Sequence, residues 1–268
     1  MQHFVVLLIL LVILFVFSVK GRTGHKDLPE LKKWYYAHRG LHSDGVPENS
    51  LLAFRKAMDA GYGMELDVHL LNDGELAIIH DSSLKRTAGA DVSIEDLTSK
   101  ELKAYFLQGT NEQIPMLSEV LDLIHGKVPL IIEVKSVNDN YAQLCQATCD
   151  LLNDYPGLYC IESFDPRCIR WLRKNKPDII RGQLTMNFFC SNSKLHWLAK
   201  LMARHQVYNF LCNPDFVAYK FADRKTVSNY ICRKIWGVQG VSWTIRNQDD
   251  FNTAVAEGWI PIFENFKP

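Results

Sequence analysis

From residue 34 to residue 264 the chain alternates short strand-like runs with longer helix-like stretches. The strand candidates are 34–38, 63–70, 75–80, 129–135, 158–163, 178–184, 207–212, 238–245 and 260–264. Between them, 50–60 has helical spacing and ends at Gly61, a natural C-cap. Thr98 and Glu101 form a capping-box pair that opens another helix, and 248–257 is closed by Gly258. Alternating strands and helices imply an α/β domain with a mostly parallel sheet and helices outside it. No internal repeat or second linker interrupts the series, so a single domain is predicted.

Nine strands exceed the eight of a closed (β/α)8 barrel. The surplus lies at Asn72-Asp73-Gly74, because Asp-Gly between two apolar runs is a strong hairpin signal. A parallel neighbour needs a long crossover, so 63–70 and 75–80 should pair antiparallel. A turn centred on Asp73-Gly74 sets Asp67 opposite His80 and Glu65 opposite Ser82. Eight strands remain for the barrel, whose active site lies at the C-terminal strand ends.

Polar residues collect at those ends. Strand one closes with His38-Arg39-Gly40, strand two carries Glu65 and Asp67, the hairpin returns with His80-Asp81, and 129–135 carries Glu133 and Lys135. Residues i and i+2 of a strand share a face. Glu65 and Asp67 therefore point one way, and Met64, Leu66 and Val68 point the other, towards the helices. Three carboxylates entering a barrel interior are costly unless paired. A hard divalent cation removes that cost, and an oxygen-only ligand set favours Mg²⁺ or Ca²⁺. Arg39 offers a planar fork for phosphate oxygens, and Lys135 offers a point charge. His38 and His80 are the natural acid/base pair. Each element alone has an ordinary structural reading; their joint placement points to phosphodiester hydrolysis.

The first nineteen residues carry no Lys, Arg, Asp or Glu, although the 268-residue chain holds 30 basic and 30 acidic residues. The zero balance gives no support to nucleic-acid binding. Residues 4–19 are apolar except for Ser18 and span roughly 24 Å, against about 30 Å for a bilayer core. The start, Met-Gln-His, lacks the positive charge of a signal peptide, and no small-x-small cleavage site follows. Lys20, Arg22, Lys26, Lys32 and Lys33 come after the run, and basic flanks stay in the cytoplasm. The expectation is one transmembrane anchor over 1–20, a polar linker over 21–32 and a cytoplasmic domain over 33–268, with export as the alternative. Seven cysteines without a C-x-x-C pair suggest neither a disulfide framework nor a zinc site, and fit a reducing compartment.

Taken in order, the motifs resemble the glycerophosphodiester phosphodiesterase family. The match runs through His38-Arg39-Gly40, Pro47-Glu48-Asn49-Ser50, Ala53-Phe54, Gly61, Glu65-Leu66-Asp67-Val68, Asp73-Gly74 and His80-Asp81. It continues with Leu84-x-Arg86-Thr87, Ile114-Pro115-x-Leu117-x-Glu119-Val120-Leu121, Ile132-Glu133-Val134-Lys135, Ser163-Phe164 and Trp243-Thr244. The resemblance implies a TIM barrel with a small insertion at about 82–115. It implies hydrolysis of glycerophosphodiesters to sn-glycerol 3-phosphate and an alcohol. By position, Glu65, Asp67 and Glu133 become metal ligands and His38 and His80 the acid/base pair. Arg39 and Lys135 become phosphate contacts, and Trp243 a wall of the glycerol pocket. Glu48 and Asn49 shape the first loop. A lysophospholipase D-type enzyme on the same barrel is a rival. So is a non-catalytic anchored binding protein, which would lack a site residue; none is missing.

Two stretches depart from the family pattern. The last strand ends in Phe263-Glu264-Asn265 rather than Asp-Gly followed by Thr-Asp, leaving its role in the pocket open. Residues 185–235 carry little of the family pattern. Their aromatic and basic residues, including Phe188, Phe189, Trp197, Lys200 and Arg204, are expected on a solvated helix with an ordinary packed face; a membrane-facing or substrate lip is the alternative.

Overall fold

The structure, a computed structural model, describes residues 1–107, 109–191 and 193–268. Nine strands form one sheet: β1 (Tyr36–Ala37), β2 (Gly63–Leu70), β3 (Leu76–Ile78), β4 (Leu130–Val134), β5 (Tyr159–Ser163), β6 (Arg181–Thr185), β7 (Phe216–Lys220), β8 (Gln239–Ile245) and β9 (Trp259–Phe263). Their order is β1-β9-β8-β7-β6-β5-β4-β2-β3, and β1 also pairs with β2. Every pairing is parallel except β2 with β3. The eight parallel strands close as a (β/α)8 barrel, and β3 is the extra arm.

Two local expectations change. The run 207–212 is not a strand: Asn209–Cys212 is a helical turn, with Asn209 and Cys212 buried and Asn213 in the left-handed region at φ 45°. Pro214 follows, and the seventh strand begins at Phe216. The hairpin register also slips by one. Val68 faces Ile78, His69 faces Ala77 and Leu70 faces Leu76. The loop is three residues long, with the Leu71 N–H donating to the Glu75 carbonyl at 2.8 Å and Gly74 at φ 87°. A three-residue loop needs a left-handed glycine in that place. Asp67 thus lies beside Ile79, whose N–H donates to the Asp67 carbonyl at 3.1 Å, and not opposite His80. A one-residue slip exchanges the faces of a strand. Here β3 has already ended at Ile78, so His80 leaves the ladder and is free to turn over the mouth.

Strand parity sorts the core into two shells. Met64, Leu66, Val68, Ile132 and Val134 pack outward against Leu117, Val120 and Ile124 of the helix Leu117–Ile124. The inward shell contains Tyr36, Ile131, Cys160, Phe216, Ala218, Val241, Ile260 and Ile262. Going up two residues from Ile131, Cys160 and Val241 reaches Glu133, Glu162 and Trp243, so the polar site lies one layer above an apolar floor. Leu28 and Leu31 join that floor, and Arg22 ion-pairs with buried Asp215 at 2.5 Å; the segment 21–32 is therefore bound to the barrel. The described residues of the 82–115 insertion have their own apolar cluster, including Leu84, Ile94, Leu97 and Leu102. The Thr98–Glu101 capping box forms as expected.

The N-terminal helix runs Gln2–Ser18 and buries none of its residues. Its foot packs on the barrel: Val19 is buried beside Val217 and Cys232, and the Trp236 indole N–H donates to the Val16 carbonyl at 2.8 Å. Its 17 residues reach about 26 Å. Among the described residues, no helix is long and apolar enough to cross a membrane. The expected transmembrane span over 1–20 is thus present only as a shorter apolar helix.

Candidate active site

The first βα turn sets the geometry. After β1 the chain reverses with Arg39 at φ 54° and Gly40 at φ 78°. A Cβ on Gly40 would lie 2.8 Å from the Ala53 carbonyl carbon, so only glycine fits. Asn49 then donates its backbone N–H to the Arg39 carbonyl at 2.9 Å and its side-chain amide to Asp67 Oδ2 at 2.8 Å. Ser50 caps the helix Leu51–Asp59 through the Ala53 N–H. One tetrapeptide, Pro47–Ser50, therefore fixes both a helix start and a carboxylate.

That carboxylate belongs to a buried cluster. Glu65, Asp67 and Glu133 place carboxylate oxygens within 4.8 Å of one another. Asp67 and Glu133 are neighbours in the β2–β4 ladder. Lys135 Nζ reaches Asp67 Oδ1 at 2.9 Å and Glu133 Oε1 at 2.8 Å. The Arg39 backbone N–H donates to Glu65 Oε2 at 3.0 Å, and its Nε lies 3.4 Å from Asp67 Oδ2. Glu162, opposite Glu133 in the β4–β5 ladder, is a fourth buried carboxyl; its Oε2 has no hydrogen-bond partner among the described residues. It shares the inward parity of Cys160, and that parity is the signal that finds it.

Electrostatics show what this cluster lacks. Burial, then the charge of Asp67 and Glu133, pushes Glu65 well above the usual carboxylate range. Burial pushes Glu133 up to about 7, against the pull of Lys135. Burial also lifts Glu162. Burial would raise Asp67 too, but Lys135, His80, Arg39 and the Asn49 hydrogen bond hold it well below its usual value. Two cations are thus too few for four buried carboxylates. Convergent, oxygen-only, electron-rich ligands fit a hard divalent cation.

Each histidine is held by a carboxylate. His38 Nδ1 lies 2.5 Å from Glu264 Oε2, and its Nε2 points to Glu65 Oε2 at 3.9 Å. Glu264 Oε1 accepts from Arg246 Nε at 2.7 Å, and His42 Nε2 is 3.6 Å from Oε2. Burial would raise Glu264, but the hydrogen bond from His38, the nearby His42 and the charges of His38 and Arg246 hold it well below its usual range. Glu264, in the segment that departs from the family pattern, is therefore the partner of His38. Burial lowers His38 from its ordinary value.

His80 Nδ1 lies 2.6 Å from Asp81 Oδ1, whose Oδ2 accepts from Arg86 Nε at 2.5 Å. Arg86 Nη2 continues to Glu48 Oε1 at 2.6 Å, which also accepts from Arg39 Nη1 at 2.9 Å. The rim is thus a chain of alternating charges. Burial, with the charges of Lys135 and Arg39, depresses His80 to about 4 against the pull of Asp67. Behind it, buried His69 is 2.7 Å from Glu95 and 3.3 Å from the His80 carbonyl.

A cavity of about 560 Å³ joins His80, Glu133 and Lys135 to Phe164, Phe188 and Leu195. A larger cleft of about 630 Å³ shares His42 and Glu48 with the rim but contains none of the three clustered carboxylates. Trp243 stands one ring back. It packs edge-on against Phe164 at 5.5 Å, and its indole N–H donates to the Ala218 carbonyl at 3.1 Å. The structure therefore brings His38, Arg39, Glu65, Asp67, His80, Glu133 and Lys135 to one mouth, with Trp243 behind the aromatic wall.

Comparison with known proteins agrees. The family model described as the glycerophosphoryl diester phosphodiesterase family matches residues 38–266. A glycerophosphodiester phosphodiesterase of Caldanaerobacter subterraneus subsp. tengcongensis is 30% identical over 240 residues, covering 85% of this chain and 92% of its own. Lysophospholipase D of Rattus norvegicus is 33% identical over 134 residues, 45% of this chain and 41% of its own. An Oleispira antarctica phosphodiesterase solved with the product sn-glycerol-3-phosphate shares the fold at a TM-score of 0.70 and 24% identity, over 86% of this chain and 92% of its own. The family match spans nearly the whole barrel and takes in every residue of the mouth: this chain belongs to the glycerophosphoryl diester phosphodiesterase family.

Proposed function

We propose that the chain hydrolyses glycerophosphodiesters to sn-glycerol 3-phosphate and an alcohol. One observation carries this: two histidines, each held at Nδ1 by a carboxylate, share a mouth with a buried carboxylate cluster and two cations. With Nδ1–H donated to Glu264, His38 keeps a free Nε2 lone pair facing the cluster, which suits a base. A bound phosphodiester anion offsets the Lys135 and Arg39 charges that depress His80, and the resulting imidazolium, stabilised by Asp81, protonates the departing alkoxide oxygen. Arg39 and Lys135 bind and orient the phosphoryl oxygens. Glu65, Asp67 and Glu133 would hold Mg²⁺ or Ca²⁺, which supplies charge to offset that developing on phosphate. The apolar wall of Phe164, Phe188 and Trp243 excludes water from one side.

The cavity's apolar end also supports lysophospholipids as substrates. The helix Gln2–Ser18, exposed and apolar on all sides, supports residence in a membrane. Its basic flank and the seven free thiols support a cytoplasmic barrel. The test is a substrate panel on the full chain, glycerophosphocholine against lysophosphatidylcholine, with each cation in turn. Turnover of a diester that is lost in Glu65→Ala supports the reading; no turnover of any diester refutes it.

A further inference from the structure

Beyond the N-terminal helix, from residue 19 onwards, thirteen large apolar side chains are exposed among the described residues, and nine of them fall between residues 189 and 235. The helix Trp197–Arg204 has no buried residue, and Trp197, Leu198 and Leu201 are exposed along one side. Its packed face, which includes Ala199, Met202 and Ala203, is only half-buried. The same segment is basic. Residues 189–235 contain eight Lys and Arg but only Asp215 and Asp223 as acids, within a chain whose charges balance. Asp215 is already neutralised by Arg22. Lys194, Lys225 and Lys234 are exposed and form no ion pair among the described residues.

The third fact is position. The foot of the helix Gln2–Ser18 stands inside this surface. Phe15 meets His205 at the end of Trp197–Arg204, with ring centroids 6.4 Å apart, and Phe17 meets Trp236 at 5.2 Å. Exposed Phe210 lies in the Asn209–Cys212 turn, which contacts the N-terminal helix, and exposed Ile235 immediately precedes Trp236. Apolar side chains interleaved with lysines form an interfacial surface, which buries its apolar groups shallowly and sets its cations among anionic headgroups.

We propose that residues 189–235 form a second membrane contact, lying on an anionic lipid surface around the foot of the N-terminal helix. The surface reaches the substrate cavity through Leu195 and Phe188, so the contact sets the mouth beside the bilayer. The proposal extends the membrane reading of the helix but rests on different residues.

Cys190 makes the test direct, because it is the one exposed cysteine among the described residues and its turn packs against Trp197–Arg204. The full chain is labelled there with a fluorophore and bound to phosphatidylcholine–phosphatidylglycerol vesicles carrying a shallow nitroxide lipid. Quenching at Cys190 should exceed several-fold that of a probe at Val255→Cys in a Cys190→Ser background. About 1 M salt, which shortens the screening length to about 3 Å, should reverse it while a probe at Leu8→Cys stays quenched. Reversing Lys194, Lys225 and Lys234 to Glu should cut Cys190 quenching at least fivefold without changing glycerophosphocholine turnover in solution. Quenching at Leu8 but not at Cys190 overturns this surface and leaves the helix reading intact. Salt-reversible quenching at Cys190 alone supports the surface and removes the helix reading. Quenching at Cys190 that ignores salt overturns the lipid-headgroup basis.

Discussion

Glu264→Gln is the sharpest perturbation of the site, because it keeps shape and removes one charge. Glu264 now accepts two hydrogen bonds, from His38 Nδ1 and from Arg246 Nε. Glutamine has one acceptor and one donor end. Turned towards Arg246, its oxygen is satisfied and its NH₂ faces His38, forcing Nδ1 to accept and moving the ring proton to Nε2. Turned the other way, donor meets donor at Arg246. The first arrangement leaves no base facing Glu65. General-base catalysis contributes about 10²–10⁴-fold. The expected loss in kcat is therefore about 10²–10⁴, or about 3–5 kcal/mol at 1.36 kcal/mol per decade. KM should change little, since Arg39 and Lys135 are untouched. Lost hydrogen bonds to a charged group should lower stability by about 1–3 kcal/mol, which thermal unfolding followed by circular dichroism resolves. Glu264 raises the His38 pKa, so removing its charge should also move the acid limb of the kcat/KM profile to lower pH. Adding Arg246→Ala frees the amide to turn its oxygen to His38 and should recover about tenfold of kcat, judged against the worth of one neutral hydrogen bond. A kcat within threefold of the parent, with an unmoved acid limb, refutes the tautomer argument.

Other consequences are quickly checked. Glu65→Ala and His38→Ala should each abolish diester hydrolysis while far-ultraviolet dichroism stays unchanged. EDTA should silence the enzyme, and either Mg²⁺ or Ca²⁺ should restore it. Because Glu133 sits at about 7 without a cation, a proton competes for its carboxylate: the half-saturating cation concentration should rise as pH falls below about 7. For the same reason Glu133 of the folded, cation-free protein keeps its proton between pH 4.5 and about 7, where an unfolded glutamate has lost it. Its own contribution to stability should therefore fall as pH rises through that window, read as the difference in urea unfolding in EDTA between the parent and Glu133→Gln. Gly182→Ala places a Cβ 2.1 Å from the Phe216 ring inside the barrel and should cost about 1–3 kcal/mol; Phe216→Leu in the same chain should return part of it.

What the sequence reveals and what it hides have one cause. Local rules settle whatever depends on neighbours a few residues apart. Strand parity puts Glu65 with Asp67 and Glu133 with Lys135, and the Thr98–Glu101 box forms where its spacing puts it. Loop geometry is a weaker local rule. Asn72-Asp73-Gly74 announces a hairpin, but two-residue and three-residue loops share its letters, and the difference shifts the register by one. The apolar run 207–212 reads as a strand because burial of one face looks alike over six residues in either structure. Only the left-handed Asn213 and the floor beneath Phe216 decide it.

Partnerships across the barrel are the least legible, and they matter most for chemistry. Glu264 meets His38 from a strand end 226 residues away. That pairing becomes visible only once β9 closes on β1, which sets the strand end beside His38. A chain can therefore change the last strand's motif and keep the dyad, since what is required there is one acceptor within reach of His38 Nδ1. The two histidines carry this further. Their carboxylates come from unlike places, a remote strand end for His38 and the adjacent residue for His80. His38 is thus held by barrel closure, while His80 is held by the arm and by the Arg86–Glu48 chain on the rim. Loosening the insertion should disturb the acid and spare the base. Glu95→Gln, which weakens the His69 contact behind His80, should therefore move the basic limb of the pH profile and leave the acid limb in place. Displacement of both limbs together would show that the two histidines are positioned as one unit.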